Sequence, residues 1–473
     1  MLTCKFGGTS VGDGRRIAEV ARIVAGIRMQ RGAPAVVVSA MSGVTDRLVE
    51  AAATAAAGDG ERFETIVQQL WDKHQQAAQA CLADGARRAS ILEGIRCRLD
   101  GLANLCRSIH VLGECTPRAM DLVSGLGERL SAPLVAGALQ ELGVPAEALE
   151  AGEFLITNDR FGAAEPLWDE TRRRMRERLL PLLERGVVPV ITGFIGATAS
   201  GVPTTLGRGG SDYSGAIVGS CLDSEEIWIW TDVNGVLTAD PRLVPEARTL
   251  PEISYIEAAE LSYFGAKVLH PKTVLPAIER RIPVRIKNTF QPDHPGTLIV
   301  AQPRPSRHVV KAITAIRNLS LVTVEGRGMV GVPGVAAKVF GAVAREAISV
   351  LMISQSSSEQ NICFVVPQEA SASALAALRR DLAAEAERRD IERIDAQAPV
   401  AIVAVVGAGM RGTPGIAATT FAALARAHIN IIAIAQGSSE YNISFCIEQK
   451  DVAEAVRLVH AAFDLGTPNG NES

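Results

Sequence analysis

Apolar residues in the first 300 positions form short, nearly continuous runs separated by segments of helical periodicity. Such runs occur at the start of the chain, at Ala35–Val38 and at Val187–Ala197, and each predicts one buried parallel strand. Another buried strand is predicted from Glu226, opening into a polar loop that ends at Arg242. Strands alternating with helices predict an α/β domain whose ligands bind at the carboxyl ends of its strands.

The segment 204–220 joins a Gly-rich loop to a helix predicted to begin near Tyr213, with Ser211 or Asp212 as its N-cap. Glycines on both sides of Arg208 leave backbone N–H groups accessible. A helix N-terminus with accessible amides and one arginine suits an anion. The simpler interpretation is a turn that caps an ordinary helix.

Two earlier segments carry further candidates. Lys5 lies at the end of the first predicted strand, just before Gly7 and Gly8, and a lysine beside accessible amides suits a phosphate. The spacing is not that of a Walker A loop, because the lysine precedes the glycines. Ser39 and Thr45 follow the second strand and are either substrate hydrogen-bonding groups or ordinary loop and cap residues.

Glu128 is predicted to lie in the first turn of a helix within 123–149. A carboxylate there stabilises the helix dipole by about 0.3–1 kcal/mol, which alone would explain the residue. A substrate-binding role is the alternative. Residues 59–120 are helical and amphipathic and offer no candidate chemistry.

The C-terminal part contains an internal repeat. Val332–Phe364 aligns without a gap on Thr413–Phe445, so that Pro333 matches Pro414, 81 residues later. Roughly half of the aligned positions are identical, which indicates duplication. Each copy is predicted as a small α+β sandwich. The second copy lacks a final strand, and the predicted strand 311–316 could supply it, placing one copy within the other.

Composition narrows the class of protein. The net charge of -4 and the pI near 6.1 give no basic surface for nucleic acid or an anionic membrane. No apolar run reaches the roughly 18 residues of a membrane-spanning helix, and no basic-then-apolar leader follows Met1. The eight cysteines form no CxxC pair and are expected to be reduced thiols. We therefore expect a cytoplasmic protein.

Six ordered motifs resemble those of the aspartate kinases, most closely the kinase portion of bifunctional aspartate kinase–homoserine dehydrogenases. They cover about residues 1–300 and read KFGGTSVGDG, VVSAMSGVTDRL, GLGERLSA, TTLGRGGSDYSG, IWTDVNGVLTADPR and ELSYFGAKVLHPKT. The C-terminal repeats resemble the paired ACT domains of those enzymes. We expect no dehydrogenase domain, because the sequence ends at Ser473.

This resemblance implies an α/β fold, in which an amino-acid kinase three-layer α/β/α sandwich is followed by two intertwined α+β ACT domains. The implied bounds are 1–300 for the kinase domain, 318–397 for the first ACT domain, and 309–317 with 398–465 for the second. The implied reaction is ATP-dependent phosphorylation of the β-carboxylate of L-aspartate to 4-phospho-L-aspartate, the first step of lysine, threonine and methionine biosynthesis.

The resemblance also assigns roles by motif. The catalytic residues would be Lys5, Asp212 and Lys267. The substrate would be bound by Ser39, Thr45, Glu128 and Arg208. The nucleotide would be bound by Gly7, Gly8, Gly209, Gly210, Thr231, Asp232, Leu237 and Arg242. The family usually has an aromatic residue in place of Leu237. Mg²⁺ would be held mainly through the nucleotide phosphates, and no metal site of protein side chains is predicted.

ACT domains imply feedback control by an amino acid and assembly into a homo-oligomer. Threonine is favoured over lysine, because the threonine-regulated enzymes carry the same isoleucine–glutamine pattern. The effector-binding residues would be Ile353, Gln355, Ile434 and Gln436. A side-chain amide both donates and accepts hydrogen bonds, whereas a lysine effector needs an acid, for which Glu359 and Glu440 are available. The alternative is that these residues only hold the turns between strands.

Two other functions remain open. One is another amino-acid or carbamate kinase of the same fold, although those enzymes generally lack the C-terminal repeats. The other is a small-molecule-sensing regulator whose kinase site has decayed. The complete set of Lys5, Arg208, Asp212 and Lys267 argues against decay.

Overall fold

The computed structural model describes residues 1–265, 271–304, 308–356 and 358–467, which form two compact units. The first unit takes Met1–Val236, Pro251–Tyr255 and Val268–Pro303, and the second takes Leu237–Leu250, Ile256–Lys267 and Arg304–Ser473, counting described residues only. Among the described helices, none has both the length and the apolar character needed to cross a membrane.

The strands are β1 Leu2–Phe6, β2 Ala35–Val38, β3 Ala146–Leu149, β4 Ile156–Thr157, β5 Val188–Thr192, β6 Ile195–Thr198, β7 Pro203–Thr205, β8 Glu226–Thr231, β9 Glu252–Ser254, β10 Val284–Asn288, β11 Thr297–Val300, β12 Ala312–Glu325, β13 Met352–Gln355, β14 Asn361–Pro367, β15 Arg393–Val406, β16 Ala433–Ala435 and β17 Asn442–Glu448. The α-helices are α1 Gly14–Arg31, α2 Val44–Ala56, α3 Gly60–Cys81, α4 Ala86–Leu112, α5 Pro117–Ser124, α6 Leu126–Glu141, α7 Trp168–Glu184, α8 Gly210–Cys221, α9 Tyr255–Tyr263, α10 Leu275–Glu279, α11 Val335–Arg345, α12 Ser371–Asp381, α13 Ala383–Glu387, α14 Ile416–Arg426 and α15 Val452–Ala462.

The first unit is built on an eight-stranded sheet of order β3-β5-β2-β1-β8-β10-β11-β9. All neighbouring strands are parallel except β10 and β11. One face packs in a core with α1, α2, α3, α4 and α6, and the other face packs with α7 and α8. The predicted α/β/α sandwich is therefore confirmed.

Successive side chains of β1 point to opposite faces of the sheet and therefore pack against different helices. Cys4 and Phe6 belong to the core with α1 and α6, so Lys5 points to the opposite face, where α8 lies. Glycines let α8 approach closely: a Cβ at Gly215 would lie 3.0 Å from the Cβ of Lys5, and one at Gly219 would lie 2.4 Å from Ile227 Cδ1. The first strand and α8 thus meet at the carboxyl edge of the sheet.

Two predictions for this region are wrong. The run Val187–Ala197 is not one strand, because the chain turns at Phe194, whose φ of 66° is left-handed. The turn yields β5 in the main sheet and β6 in a separate three-stranded sheet with β4 and β7. Helix α8 also begins earlier than expected, at Gly210, and its N-cap is the left-handed Gly209 rather than a Ser211 or Asp212 side chain.

The second unit contains a six-stranded antiparallel sheet of order β13-β14-β12-β15-β17-β16. Its two long strands are shared between the repeats. Residues 312–316 of β12 pair with 402–406 of β15, beside β17, while 319–325 pair with β14 and with the first residues of β15. The strand predicted at 311–316 does complete the second repeat, and the two ACT domains are intertwined.

Two stretches that lie within the kinase-like motifs pack in the second unit. Ala239 and Val244 belong to the apolar core of the second repeat, and Thr238 Oγ1 lies 2.9 Å from His460 Nε2. In α9, Glu257 Oε1 accepts a hydrogen bond from the backbone N–H of Ala408 at 2.8 Å. The segments 237–250 and 256–265 therefore share a core and hydrogen bonds with the repeats. The predicted domain bounds remain a proposal.

Because β12 is shared between the repeats, a substitution in this strand should destabilise β17, which lies far away in the sequence. Ile313 of β12 is 1 % exposed in the core of the second repeat. Replacing it with Ala should lower the free energy of unfolding by about 2–5 kcal/mol, because a buried cavity remains. Hydrogen exchange should show the loss of protection in β17. The matched variant Ile394→Ala, at a position packed on the first repeat, should affect β14 instead. Unchanged exchange of β17 in Ile313→Ala would contradict the shared core.

Candidate active site

A cavity of about 520 Å³ lies in the first unit where the ends of β1 and β2 meet the N-terminus of α8 and the first turn of α6. Its walls combine charged side chains with glycine backbone. The lining residues are Lys5, Gly8, Ser39, Ala40, Met41, Ser42, Gly43, Thr45, Asp46, Glu128, Phe194, Gly207, Arg208, Gly209, Gly210, Ser211 and Asp212. Predicted residues from four separate sequence motifs thus come together in one cavity.

The ion pair between Lys5 and Asp212 lies at the centre of the predicted site. Lys5 Nζ is 2.6 Å from Asp212 Oδ1, and the two side chains are 9 % and 22 % exposed. A Cβ at Gly7 would lie 3.4 Å from the same Nζ, so backbone surrounds the ammonium group closely. Asp212 fixes the position of a buried cation that still faces the cavity.

The N-terminus of α8 offers backbone donors to this cavity. Gly209 precedes the helix in a left-handed conformation with φ of 72°, which only glycine adopts at low cost. Within the described residues, no side chain caps this end. The amides of the first turn and the positive end of the helix dipole therefore favour an anion beside Lys5.

Glu128 is an unusual carboxyl group because it is buried in the wall of the cavity. Its side chain is 3 % exposed, and Oε1 accepts a hydrogen bond from the Ala40 N–H at 3.0 Å and from Ser211 Oγ at 3.5 Å. Within the described residues Oε2 is buried without a partner. Burial raises the pKa of Glu128 to about 7, although these hydrogen bonds and nearby Lys5 lower it. A cationic hydrogen-bond donor that entered the cavity would therefore stabilise the ionised form of Glu128.

Arg208 supplies an exposed cation to the same cavity, and it forms no ion pair with a carboxylate of the described residues. Its guanidinium is available for a two-point contact with a carboxylate. Ser39 and Thr45 also line this cavity. Ser131 Oγ donates a hydrogen bond to the backbone oxygen of Ser39 at 2.8 Å, which ties Ser39 to α6.

The predicted nucleotide residues are divided between the units. Thr231 ends β8 in the first unit, and its Oγ1 lies 3.3 Å from Asp232 Oδ1, outside the lining of the cavity. Leu237 and Arg242 lie in the second unit, where Arg242 is ion-paired with Asp240 at 2.6 Å. The pairing raises the pKa of Arg242 and lowers that of Asp240 through their hydrogen bonds. Lys267 lies outside the described residues.

Asp46 and Phe194 also line the cavity, although the sequence analysis assigned neither of them a role. Asp46 carried a signal, because it follows Thr45 within a quoted motif. Phe194 carried none, because its direction depends on a left-handed backbone that an apolar run does not reveal. No group of three or more His, Cys, Asp or Glu side chains gathers as a metal site in the part of the chain that the structure describes.

The predicted effector residues lie on or directly after two edge strands of the second unit. Ile353 of β13 is 50 % exposed and Ile434 of β16 is 44 % exposed, which is unusual for large aliphatic side chains. Gln355 lines a second cavity of about 290 Å³ beside the Pro-Gly turn of the first repeat. Gln436 follows β16 at the equivalent position and is exposed.

The acids near these glutamines already have donors. Glu359 Oε2 accepts a hydrogen bond from the Gly331 N–H at 2.9 Å, and Glu440 Oε2 accepts one from the Gly412 N–H at 2.7 Å. The two repeats therefore use equivalent glutamates to hold equivalent turns. One oxygen of each acid is engaged in the structure of the protein itself.

Comparison with known proteins matches both units to described families. The amino acid kinase family model matches residues 1–288, and an ACT domain model matches residues 322–382 and 403–463. The chain is 40% identical over 466 residues to a chloroplastic bifunctional aspartokinase/homoserine dehydrogenase 1 of Zea mays, covering 98% of this chain and 50% of the maize protein. The chain thus spans about half the length of the bifunctional relatives that it matches first.

Two further comparisons extend over most of both chains. Aspartokinase 3, chloroplastic, of Arabidopsis thaliana is 34% identical, with 98% of this chain and 82% of that protein covered. E. coli aspartokinase III in complex with lysine and aspartate has a TM-score of 0.80 at 32% identity, covering 98% and 99% of the two chains. That enzyme has also been solved with aspartate and ADP, with a TM-score of 0.79. The chain belongs to the amino acid kinase family and, within it, to the aspartokinases.

Proposed function

We propose that this chain phosphorylates the β-carboxylate of L-aspartate with ATP as the phosphoryl donor. The observation that carries the proposal is the cavity in which buried Glu128, exposed Arg208 and the Lys5–Asp212 pair face one another. These groups match an amino acid that presents one ammonium and two carboxylates. The aspartate present in the structures of E. coli aspartokinase III supports the same assignment.

The chemistry requires charge neutralisation rather than a general base. An aspartate side-chain carboxyl group ordinarily has a pKa of about 3.9 and is ionised at neutral pH, so the β-carboxylate is already a nucleophile. The difficulty is to bring this anion to an anionic phosphoryl group. Lys5 and the amides of α8 place positive charge where the two anions meet, and Asp212 holds the lysine in position.

Each wall of the cavity has a role in holding aspartate. Arg208 would bind the α-carboxylate, Glu128 the ammonium group, and Ser39 and Thr45 the remaining polar atoms. The carboxylate oxygen forms the new bond to phosphorus while the bond to the departing ADP oxygen breaks. Bound MgATP supplies the phosphoryl group. The backbone of Gly8, Gly209 and Gly210 would approach its phosphates, and Mg²⁺ would be held mainly through those phosphates.

The direct test is to trap the acyl phosphate with hydroxylamine while ADP formation is measured. L-Aspartate should support turnover, whereas acetylglutamate and carbamate should not, because neither carries the free ammonium group and α-carboxylate that Glu128 and Arg208 would bind. L-Glutamate should also fail, because its extra methylene misplaces the side-chain carboxylate. Turnover with one of the other acceptors in place of aspartate would favour another kinase of the same fold. Absence of turnover with every acceptor would favour a regulator without kinase activity.

Replacing Lys5 with Met should lower turnover by about 10²–10³-fold, as expected when one donor to a developing charge is lost. The matched control is Lys287→Met. Lys287 is also a buried strand lysine of this sheet, but its Nζ lies over the rings of Trp228 and Trp230, away from the cavity. The control should retain turnover within a few-fold. Near-normal turnover of Lys5→Met, with circular dichroism unchanged, would refute the assignment.

The raised pKa of Glu128 predicts a pH dependence. Its carboxyl group is neutral below about pH 7 in the free enzyme and cannot then pair with the substrate ammonium. The value of kcat/KM for aspartate should therefore fall as the pH drops below 7, by about tenfold per unit at the limit. Glu128→Gln should remove this inflection and raise KM at every pH. A profile for aspartate that keeps its inflection in Glu128→Gln would exclude Glu128 as the titrating group.

We propose further that the ACT domains bind an amino-acid effector, with threonine preferred over lysine. The exposed Ile353 and Ile434 and the equivalent glutamines support a pair of similar sites. Glu359 and Glu440 each hold a turn amide, which leaves them less free to neutralise a lysine side chain. Lysine is bound in the structure of E. coli aspartokinase III, so it is the main competitor.

Coupling to catalysis has a physical basis within the second unit. The segment 237–250, which follows strand β8, shares an apolar core with the second repeat, and α9 is hydrogen-bonded to both repeats through Glu257 and Tyr263. A rearrangement of the repeats would therefore move these segments directly. An effector controls turnover only if it favours one such arrangement. We also propose a homo-oligomer formed through the ACT domains and a cytoplasmic location.

Effector identity is tested by inhibition with threonine, lysine and methionine separately. Threonine should inhibit the wild type. Gln355→Ala and Gln436→Ala should each weaken inhibition by about tenfold, since loss of a hydrogen bond to the effector worth about 1.4 kcal/mol changes affinity tenfold. Turnover without effector should be unchanged in both variants. Lysine inhibition without threonine inhibition would overturn the choice. Threonine inhibition that survives both substitutions would exclude the glutamines from the site.

A further inference from the structure

Asp121 is a buried carboxylate outside the cavity that no step of the proposed reaction uses. It lies on α5, is 2 % exposed, and forms no ion pair with a cation of the described residues. Three donors satisfy it instead. Thr205 donates from its N–H to Oδ2 at 2.8 Å and from its Oγ1 to Oδ1 at 2.8 Å, and the Gly162 N–H donates to Oδ2 at 3.0 Å.

These donors belong to the two backbone segments that support the loop between β7 and α8, which carries Arg208 and is called here the Arg208 loop. Thr205 is the last residue of β7, three residues before Arg208. Gly162 lies against the other side of that loop, because a Cβ at Gly207 would be 2.8 Å from the Gly162 oxygen. A single carboxylate thus joins the stem of the Arg208 loop to the segment against which the loop packs.

Arg208 has little else to orient it. Its side chain is exposed and has no ion-pair partner among the described residues, so the direction of the guanidinium follows from the backbone of the loop. A planar two-point contact with a carboxylate tolerates only small errors in that direction. Misplacement of a binding group by about 1 Å can cost a factor of about 10².

We propose that Asp121 is a positioning residue that sets the Arg208 loop for the α-carboxylate of the substrate. This inference rests on the proposed function, because it assigns Arg208 to that carboxylate. Asp121 would act through backbone and would not touch the substrate. Its loss should therefore affect aspartate binding far more than the nucleotide or the phosphoryl transfer itself.

The first experiment compares steady-state constants for Asp121→Ala and Asp121→Asn. In the Ala variant the KM for aspartate should rise about 10–100-fold, while kcat and the KM for ATP change less than about threefold. The Asn variant should remain within about threefold of wild type. Its amide oxygen can accept both N–H groups, and its NH₂ can donate to Thr205 Oγ1. Equal losses in the Ala and Asn variants would overturn the proposal.

A structural control separates positioning from simple loss of stability. Thr171 is also fully buried, and its Oγ1 donates to the Ile156 oxygen at 2.9 Å and accepts from the Ile156 N–H at 3.0 Å. Thr171→Val should lower Tm without changing the KM for aspartate. A rise in KM equal to that of Asp121→Ala would show that destabilisation alone causes the effect.

A double-mutant cycle with Arg208→Ala tests whether Asp121 acts through Arg208. If it does, adding Asp121→Ala to Arg208→Ala should raise the KM for aspartate no further. Multiplicative effects would contradict the proposal. If Asp121→Ala does not fold, Thr205→Val decides. That variant removes only the Oγ1 hydrogen bond, so the KM for aspartate should rise several-fold, and an unchanged KM would refute the proposal.

The failures of the two proposals are distinguishable. If the wild-type protein forms no acyl phosphate with aspartate, the proposed function fails before any variant is made. If the wild type is active and Asp121→Ala keeps a wild-type KM for aspartate, only the role of Asp121 fails.

Discussion

The contact between Lys5 and Asp212 is the constraint on which the arrangement of the site depends. A lysine on a buried strand and a carboxylate in the first turn of a helix can meet at 2.6 Å only if that helix lies close to the sheet. Gly215 and Gly219 provide the closeness, because side chains there would collide with Lys5 and Ile227. With α8 close to the sheet, the backbone amides at its N-terminus face the same cavity. A largely buried ion pair adds little net stability, so packing holds α8 against the sheet, and the pair fixes where the Lys5 ammonium group lies.

The chemistry of the site follows from how its charges are held apart. Glu128 is buried with one oxygen unpaired among the described residues, whereas Arg208 is an exposed residue in the lining of the same cavity. In the proposed function, Arg208 binds the α-carboxylate of the substrate, Glu128 binds its ammonium group, and Lys5 neutralises charge where the side-chain carboxylate meets the phosphoryl group. Rigid backbone on several elements sets these positions, which suits catalysis by placement and neutralisation.

The sequence predicted that several of these residues lie near one another, because their motifs lie at the carboxyl ends of neighbouring parallel strands. Lys5 lies near the end of β1 and Ser39 directly follows β2, and the parallel pairing of these two strands brings their carboxyl ends together. Phe194 could not be predicted, since the turn at that residue interrupts an otherwise apolar run. Asp121 lies within a helix, and its donors, Gly162 and Thr205, come from distant positions in the sequence. Such tertiary contacts leave no local pattern. The sequence did predict the strand exchange of the repeats, because the missing strand could be counted.

Transfer of a phosphoryl group to the C4 carboxylate of aspartate is central to the proposed function. NMR of the product formed from L-[4-¹³C]aspartate and ATP tests it most directly. We predict an acyl phosphate whose ¹³C signal is split by the bonded phosphorus and which forms at the rate of ADP release. An unlabelled carbonyl in the acyl phosphate, as from transfer to the α-carboxylate, would contradict it. So would ADP release with no aspartate-derived acyl phosphate.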